Sequence, residues 1–169
     1  RRRGDGAASV GAGQPAQRFE ALAARVSALI VAKLDERALE EARALPDAAQ
    51  DDLQRVRAIR VIAELLGQRG EMQQAIDIAQ PGLALARKIG ANEELVRNAS
   101  NVAANLSKLG RPEEAYSLLL PLRDWVDRHA DDDVRSVWYG HWAGTLGHIG
   151  RLREAADALD YLFESHGLQ

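Results

Sequence analysis

The chain has no cysteine, few aromatic residues and no long uncharged apolar run. Without cysteine there is no disulfide, and there is no thiolate to bind zinc or to act as a nucleophile. The longest uncharged apolar run, about Val26 to Ala32, is well short of a membrane-spanning helix. The composition therefore excludes a disulfide scaffold, a cysteine-based zinc site and a membrane span in this sequence.

The chain also has no large excess of one charge sign, since the formal net charge of the 169 residues is only -3. Such a balance gives no general attraction to nucleic acid or to anionic membrane, so we expect neither as a partner. The chain begins with Arg rather than Met, which indicates a segment excised or processed from a longer protein. We expect a cytoplasmic location, and a periplasmic one in the case that an upstream signal peptide or anchor has been removed.

Enzyme signatures are absent as well. The sequence contains no phosphate-binding G-x-x-x-x-G-K-[ST] loop, no G-x-G-x-x-G, no H-E-x-x-H and no G-x-S-x-G. His141 and His148 lie seven residues apart and therefore on one helix face, but they have no third ligand in view. We predict no catalytic residues, no metal site and no cofactor.

Four residue positions, in contrast, recur three times at a period of 40 residues, counted from 63 to 103 to 143. A fixed period of this size is typical of stacked helix pairs. The recurring sets are Ala63/Ala103/Ala143, Leu66/Leu106/Leu146, Gly70/Gly110/Gly150 and Ala75/Ala115/Ala155. The pattern predicts an all-α protein, a right-handed α-solenoid of antiparallel helix pairs.

Apolar residues at helical spacing set the predicted boundaries. Residues 1–17 have no apolar period, and we predict a disordered linker or tail there. Residues 18–169 form the predicted repeat domain, with a degenerate first repeat at about 18–46. Three clear repeats follow at about 51–90, 92–130 and 132–167. Asn92 is the predicted cap of one first helix, and Asp51-Asp52 and Asp131-Asp132-Asp133 are predicted to lie at the starts of the two others.

Two prolines occupy equivalent places in this scheme. Pro81 and Pro121 each lie inside the second helix of a repeat, 40 residues apart by their numbers. A proline inside a helix removes a backbone hydrogen bond and clashes with the preceding turn. We predict a kink or a break at both positions, and a straighter helix in the last repeat, which has Tyr161 there.

The recurring positions resemble those of the tetratricopeptide repeat (TPR) family, in a divergent bacterial variety with the longer 40-residue period. That family places a small residue in mid helix A, a large apolar residue three positions later, Gly at the turn and Ala five residues after it. The matching positions here are Ala63, Leu66, Gly70 and Ala75 and their equivalents. The resemblance implies a superhelix whose A helices line a concave groove that binds a peptide or a helix of another protein.

Carrying the groove positions over gives the candidate partner-binding residues. They include more cations than anions, so the resemblance implies a basic groove and an acidic partner segment. The candidates are Arg57, Arg60, Gln68, Arg97, Asn101, Lys108, Trp138, His141 and His148. An ordinary solvated helix face remains the alternative for this surface.

Aromatic and amide residues add detail to that surface. Tyr139 and Trp142 fall at core-like positions, whereas Trp138 is a candidate aromatic anchor for a partner. The stripe of Asn98, Asn101 and Asn105 is placed either to bind a peptide backbone or to bridge neighbouring helices.

Two further functions stay open at this stage. The domain is alternatively a regulatory or sensor segment of a larger bacterial signalling protein, such as a diguanylate cyclase or a transcription activator, binding a peptide or a small ligand. The second alternative is a homodimerisation module, because an uncapped solenoid end leaves apolar surface uncovered. Its candidate self-association residues are Leu159, Leu162 and Phe163.

Overall fold

A computed structural model describes residues 14–165, apart from the side chains of residues 14, 16 and 165. Throughout that range the chain is all-helical and has no strand. The helices are α1 (Gln14–Val31), α2 (Asp35–Ala42), α3 (Leu45–Ala48), α4 (Asp52–Gln68), α5 (Met72–Ile89), α6 (Asn92–Lys108), α7 (Pro112–Leu119), α8 (Arg123–His129), α9 (Asp132–His148) and α10 (Leu152–Ser165). A 3-10 segment, Leu120–Leu122, separates α7 from α8.

The predicted turns recur with one geometry. Gly70, Gly110 and Gly150 have φ values of +84°, +75° and +81°, a left-handed conformation that glycine adopts without strain. The residue after each glycine donates its backbone N–H back to the repeated leucine, Leu66, Leu106 or Leu146, at 2.9 Å. These bonds satisfy carbonyl groups that the end of the helix would leave unpaired.

Helices begin at all three predicted starts, and a side-chain cap is present at two of them. Asp51 accepts a hydrogen bond from the N–H of Gln54 at 2.7 Å, and Asp131 accepts one from Val134 at 2.8 Å. The predicted cap at Asn92 is wrong, because Ala91 occupies the capping position and Asn92 is already the first helical residue.

The two prolines differ in their effect. The helix is broken at Pro121, where the 3-10 segment intervenes, and this confirms the prediction for that repeat. Pro81 does not break its helix, because α5 continues through it to Ile89. The last helix, α10, is uninterrupted as expected.

Within residues 14–165, the helices pack in chain order around two buried hydrophobic clusters. α4 packs on α5, α5 on α6, α6 on α7 and on α9, and α9 on α10. The repeated alanines and leucines of the first helices are all buried in these clusters, Leu66 in the N-terminal one and the others in the larger one: Ala63, Ala103, Ala143, Leu106 and Leu146. The small residues allow close approach of the helices, which is the packing role predicted for them.

The N-terminal part departs from the predicted boundaries. The structure places residues 14–17 in α1, before the predicted start at Arg18, and not in a disordered tail. The rest of that predicted tail, 1–13, lies outside the described residues, as do residues 166–169. α1 packs on α2, and the two helices are separated at Lys33, whose φ is +59°.

Candidate functional site

The first helices of the three clear repeats, α4, α6 and α9, lie next to one another. The side of these helices that carries the predicted partner-binding residues is called the A-helix face below. α6 contacts both α4 and α9 and so lies in the middle of that face. Residues that are 40 apart in sequence are thereby placed on neighbouring helices.

The three predicted arginines of this face are all neutralised by carboxylates of adjacent helices. The ion pairs are Arg57 with Glu20 (2.7 Å), Arg60 with Glu94 (2.8 Å) and Arg97 with Asp133 (2.6 Å). The hydrogen bond from Arg57 lowers the pKa of the Glu20 carboxyl, as expected for a carboxylate held by a cation. The prediction of a basic groove is therefore wrong at these positions, where the arginines connect α1 to α4, α4 to α6 and α6 to α9.

Four predicted residues meet in a cleft at the C-terminal ends of α4 and α6. Gln68, Asn101, Lys108 and His141 line an open cleft of about 190 Å³, which we call the groove cleft. Glu64 completes one wall and accepts a long hydrogen bond of 3.4 Å from the Gln68 amide. The structure thus brings together residues from all three A helices.

Lys108 differs from the arginines in having no carboxylate partner among the described residues. His141 lies across the cleft, half-buried, and its pKa is lowered by burial and then by the charge of Lys108. The imidazole is therefore neutral at pH 7, with one nitrogen available to donate a hydrogen bond. The cleft offers an ammonium, an imidazole and the Asn101 amide to an incoming group.

Trp138 is not available as an anchor, which corrects the prediction for this residue. Its side chain is 0% exposed, stacks on Trp142 with centroids 5.1 Å apart and meets Tyr139 edge-on at 5.0 Å. α9 packs on α6 and α7 and also on α10, so its buried surface is wide enough to include Trp138. Tyr139 and Trp142 are buried as predicted.

The remaining predicted residues divide between surface and core. His148 is exposed at the end of α9 and lies outside the groove cleft. Of the asparagine stripe, Asn98 and Asn105 are buried between helices, and only Asn101 is accessible. A Cβ added at Gly67 would lie 2.8 Å from the Asn105 amide nitrogen, so Asn105 packs directly against α4. Asn98 packs in the same way against Gly82 of α5.

The self-association residues also divide. Leu159 and Phe163 are exposed on α10, whereas Leu162 is half-buried and packs against the core. Leu162 is therefore part of the fold rather than of an exposed stripe.

A second and larger cleft contains residues that the sequence did not single out. Leu53, Ile89 and Trp125 line it together with Arg57, and its volume is about 560 Å³. These residues come from α4, the end of α5 and α8, so no periodic pattern connects them. The one available signal was the position of Trp125, shortly after the predicted break at Pro121.

Within residues 14–165, no group of three or more His, Asp or Glu side chains is arranged to hold a metal ion. In the same part of the chain, none of the helices combines the length and the apolar character needed to cross a membrane. A comparison of the chain with models of known protein families finds no match, and a comparison with curated proteins finds none either.

Proposed function

We propose that this chain is a protein–protein interaction module that binds an acidic segment of a partner at the groove cleft. One observation supports this proposal: Lys108 is left without a carboxylate on a face whose arginines are all paired. A carboxylate of the partner would complete at Lys108 the kind of ion pair that Glu20, Glu94 and Asp133 make elsewhere. His141 and Asn101 would add hydrogen bonds from the cleft walls.

We further propose that the fold is a right-handed TPR-like solenoid, and that the protein acts by binding and catalyses no reaction. The three left-handed glycine turns and the packing of α4, α6 and α9 side by side support the repeat architecture. In such an architecture the A helices form the concave side, where an extended peptide makes contact with several repeats at once.

The test compares two short blocked peptides, one carrying Asp-Glu-Asp and the other Asn-Gln-Asn. We expect the acidic peptide to shift the ring signals of His141 in NMR titrations and to raise the His141 pKa, because a bound anion favours imidazolium. Lys108→Glu should weaken this binding about fivefold or more, which corresponds to roughly 1 kcal/mol.

Lys33→Glu provides the matched control, because it makes the same charge change at an exposed position between α1 and α2. Its affinity for the acidic peptide should equal that of the parent. Equal binding of the neutral peptide, or full affinity in the Lys108 variant, would contradict the proposal.

Self-association is a second candidate, favoured by the outer face of α10. Leu152, Ala156, Leu159 and Phe163 are all exposed and follow one another at steps of four, three and four residues. That spacing places them in one line along the helix, as in the seam of a coiled coil. A second copy of the chain offers the same line in return, since a two-fold interface pairs a surface with itself.

Light scattering coupled to size-exclusion chromatography tests this candidate over a range of concentrations. A dimer that persists on dilution and is lost in Leu159→Lys would support it. Leu120→Lys is the control, because Leu120 is similarly exposed but lies in the 3-10 segment. A monomer at every concentration would rule out the α10 seam as a self-association surface.

A further inference from the structure

The break at Pro121 leaves α6 with a shorter partner helix than α4 has, since α7 has 8 residues and α5 has 18. In the preceding repeat, the uninterrupted α5 packs along α4. In the next repeat the second helix is divided: α7 packs on α6, and α8, which follows the break, packs on α9. The larger cleft lies at the beginning of α6 and is bounded by the first turn of α6 on one side and by Trp125 of α8 on the other. It is called the α8 cleft below.

Three large apolar side chains contribute to the walls of the α8 cleft. Leu53 and Ile89 are exposed. Trp125 is half-buried, and its ring stacks on the ring of His129 with the centroids 5.8 Å apart. A volume of about 560 Å³ is ample for one large apolar side chain with its neighbouring backbone. Because these side chains keep apolar surface in contact with water, covering them with an apolar group would be favourable.

The charges at the cleft indicate what accompanies the apolar group. Arg57 is held by Glu20 in two hydrogen bonds, and Glu94 is held by Arg60. Glu93, in contrast, is exposed and has no cationic partner among the described residues. The charge left unpaired on the lining is therefore negative, and the face of Trp125 also favours a cation.

We propose that the α8 cleft docks a peptide segment with a large apolar side chain next to an Arg or Lys. The apolar side chain packs against Leu53, Ile89 and Trp125, and the cation approaches Glu93. This site is separate from the groove cleft, because Glu94 and Lys108 lie at opposite ends of α6, about 21 Å apart at about 1.5 Å of rise per residue. The inference therefore does not depend on the proposed binding of an acidic segment.

The probes are three blocked tetrapeptides, Gly-Phe-Arg-Gly, Gly-Phe-Glu-Gly and Gly-Ala-Arg-Gly, followed by the indole N–H signals of the protein in NMR. The chain has three tryptophans, and Trp125→Phe identifies the signal of Trp125. We expect the Phe-Arg peptide to shift this signal saturably while those of the buried Trp138 and Trp142 stay in place. The affinity of each of the other two peptides should be lower by about fivefold or more, since each lacks one of the two contacts.

Variants separate this site from the groove cleft. Glu93→Lys should reverse the preference between the Phe-Arg and Phe-Glu peptides, and Ile89→Asp should remove the binding of both, with circular dichroism confirming that each variant is folded. Lys108→Glu should leave the Phe-Arg titration unchanged. The proposal would be overturned if the Phe-Arg peptide did not shift the Trp125 signal. It would also be overturned if either the Phe-Glu or the Ala-Arg peptide bound as tightly as the Phe-Arg peptide.

Discussion

Arg60 connects α4 to α6 by donating from Nε to Oε2 of Glu94 at 2.8 Å. The two side chains are 20% and 16% exposed, so solvent screens this pair less than the other ion pairs of the surface. Together with Arg57–Glu20 and Arg97–Asp133 it forms a row of ion pairs between neighbouring helices. Charge reversal of these arginines would place carboxylates opposite carboxylates, and we expect it to destabilise the fold in addition to any effect on binding.

A double-mutant cycle on Arg60 and Glu94 measures this connection. With Arg60→Ala, Glu94→Ala and the double variant, we expect a coupling free energy of about 1 kcal/mol from urea unfolding. The control cycle uses Arg128 and Asp124, a pair at 2.7 Å whose side chains are 68% and 72% exposed. Its coupling should be only about 0.3 kcal/mol. Similar values for the two cycles would show that burial does not strengthen the Arg60 pair.

Gly82 lies where α5 closely approaches Ile59 of α4 and Asn98 of α6. A Cβ at this position would lie 2.7 Å from Cγ2 of Ile59 and 3.0 Å from the Asn98 amide nitrogen. We expect Gly82→Ala to lower the free energy of unfolding by about 1–2 kcal/mol, although Ala favours a helix by about 1 kcal/mol. Gly144→Ala is the control, since nothing lies within 4 Å of its added Cβ, and it should stabilise the protein by about 0.5–1 kcal/mol. Stabilisation by both substitutions would contradict the close packing at Gly82.

Leu106 tests the role of the repeated leucine. Its side chain is 5% exposed in the core, so Leu106→Asp buries a charge without a partner and should cost about 4 kcal/mol or more. Leu109→Asp introduces the same group three residues later, at a side chain that is 41% exposed. We expect thermal unfolding to show a folded Leu109 variant and an unfolded Leu106 variant. A Leu106 variant as stable as the parent would exclude the repeat assignment.

His141 gives the protein a pH dependence whose sign follows from its environment. Its pKa lies below the ordinary value of 6.5 because burial, and then Lys108, disfavour the imidazolium. The unfolded chain therefore takes up the proton first as the pH falls. The contribution of this site to stability is full above pH 6.5 and is lost as the pH falls towards the pKa of the folded state.

The measurement is the urea midpoint at about pH 7.5 and about pH 5.5. The parent should lose more stability between these values than His141→Gln, whereas His148→Gln, which changes an exposed histidine of the same helix, should behave as the parent does. Lys108→Met should raise the pKa of His141 in an NMR titration, because it removes the nearby positive charge. Glu64, the carboxylate that lines the same cleft, is unchanged in this variant. A His141 pKa above 6.5 in the parent would contradict the burial of the imidazole.

The 40-residue period was sufficient to predict the helices of the three clear repeats and their glycine turns. This was possible because turn geometry and close helix packing are local demands that recur in the sequence. Residues 63, 66, 70 and 75 meet these demands in one repeat, and the same residue types recur at the equivalent positions of the other two. The sequence was less informative about prolines: Pro81 and Pro121 occupy equivalent places, yet only the second breaks its helix.

The candidate site was only partly predictable, because charge and burial at a residue depend on helices that are distant in sequence. Arg57, Arg60 and Arg97 looked like free cations until Glu20, Glu94 and Asp133 were placed beside them. Trp138 looked like a surface anchor until α9 was packed against α6, α7 and α10 and its side chain was fully buried.

The sequence by itself determined the glycine turns and the helix starts of the three clear repeats, through spacing and glycines that act within a few residues. Only the tertiary structure decided which charges remain unpaired and which aromatic rings remain accessible. In the described part of the chain, Lys108 remains unpaired on the A-helix face, and Trp125 remains accessible in the α8 cleft, for one physical reason. Each side chain's availability is set by whether a neighbouring helix brings a partner or a cover to it.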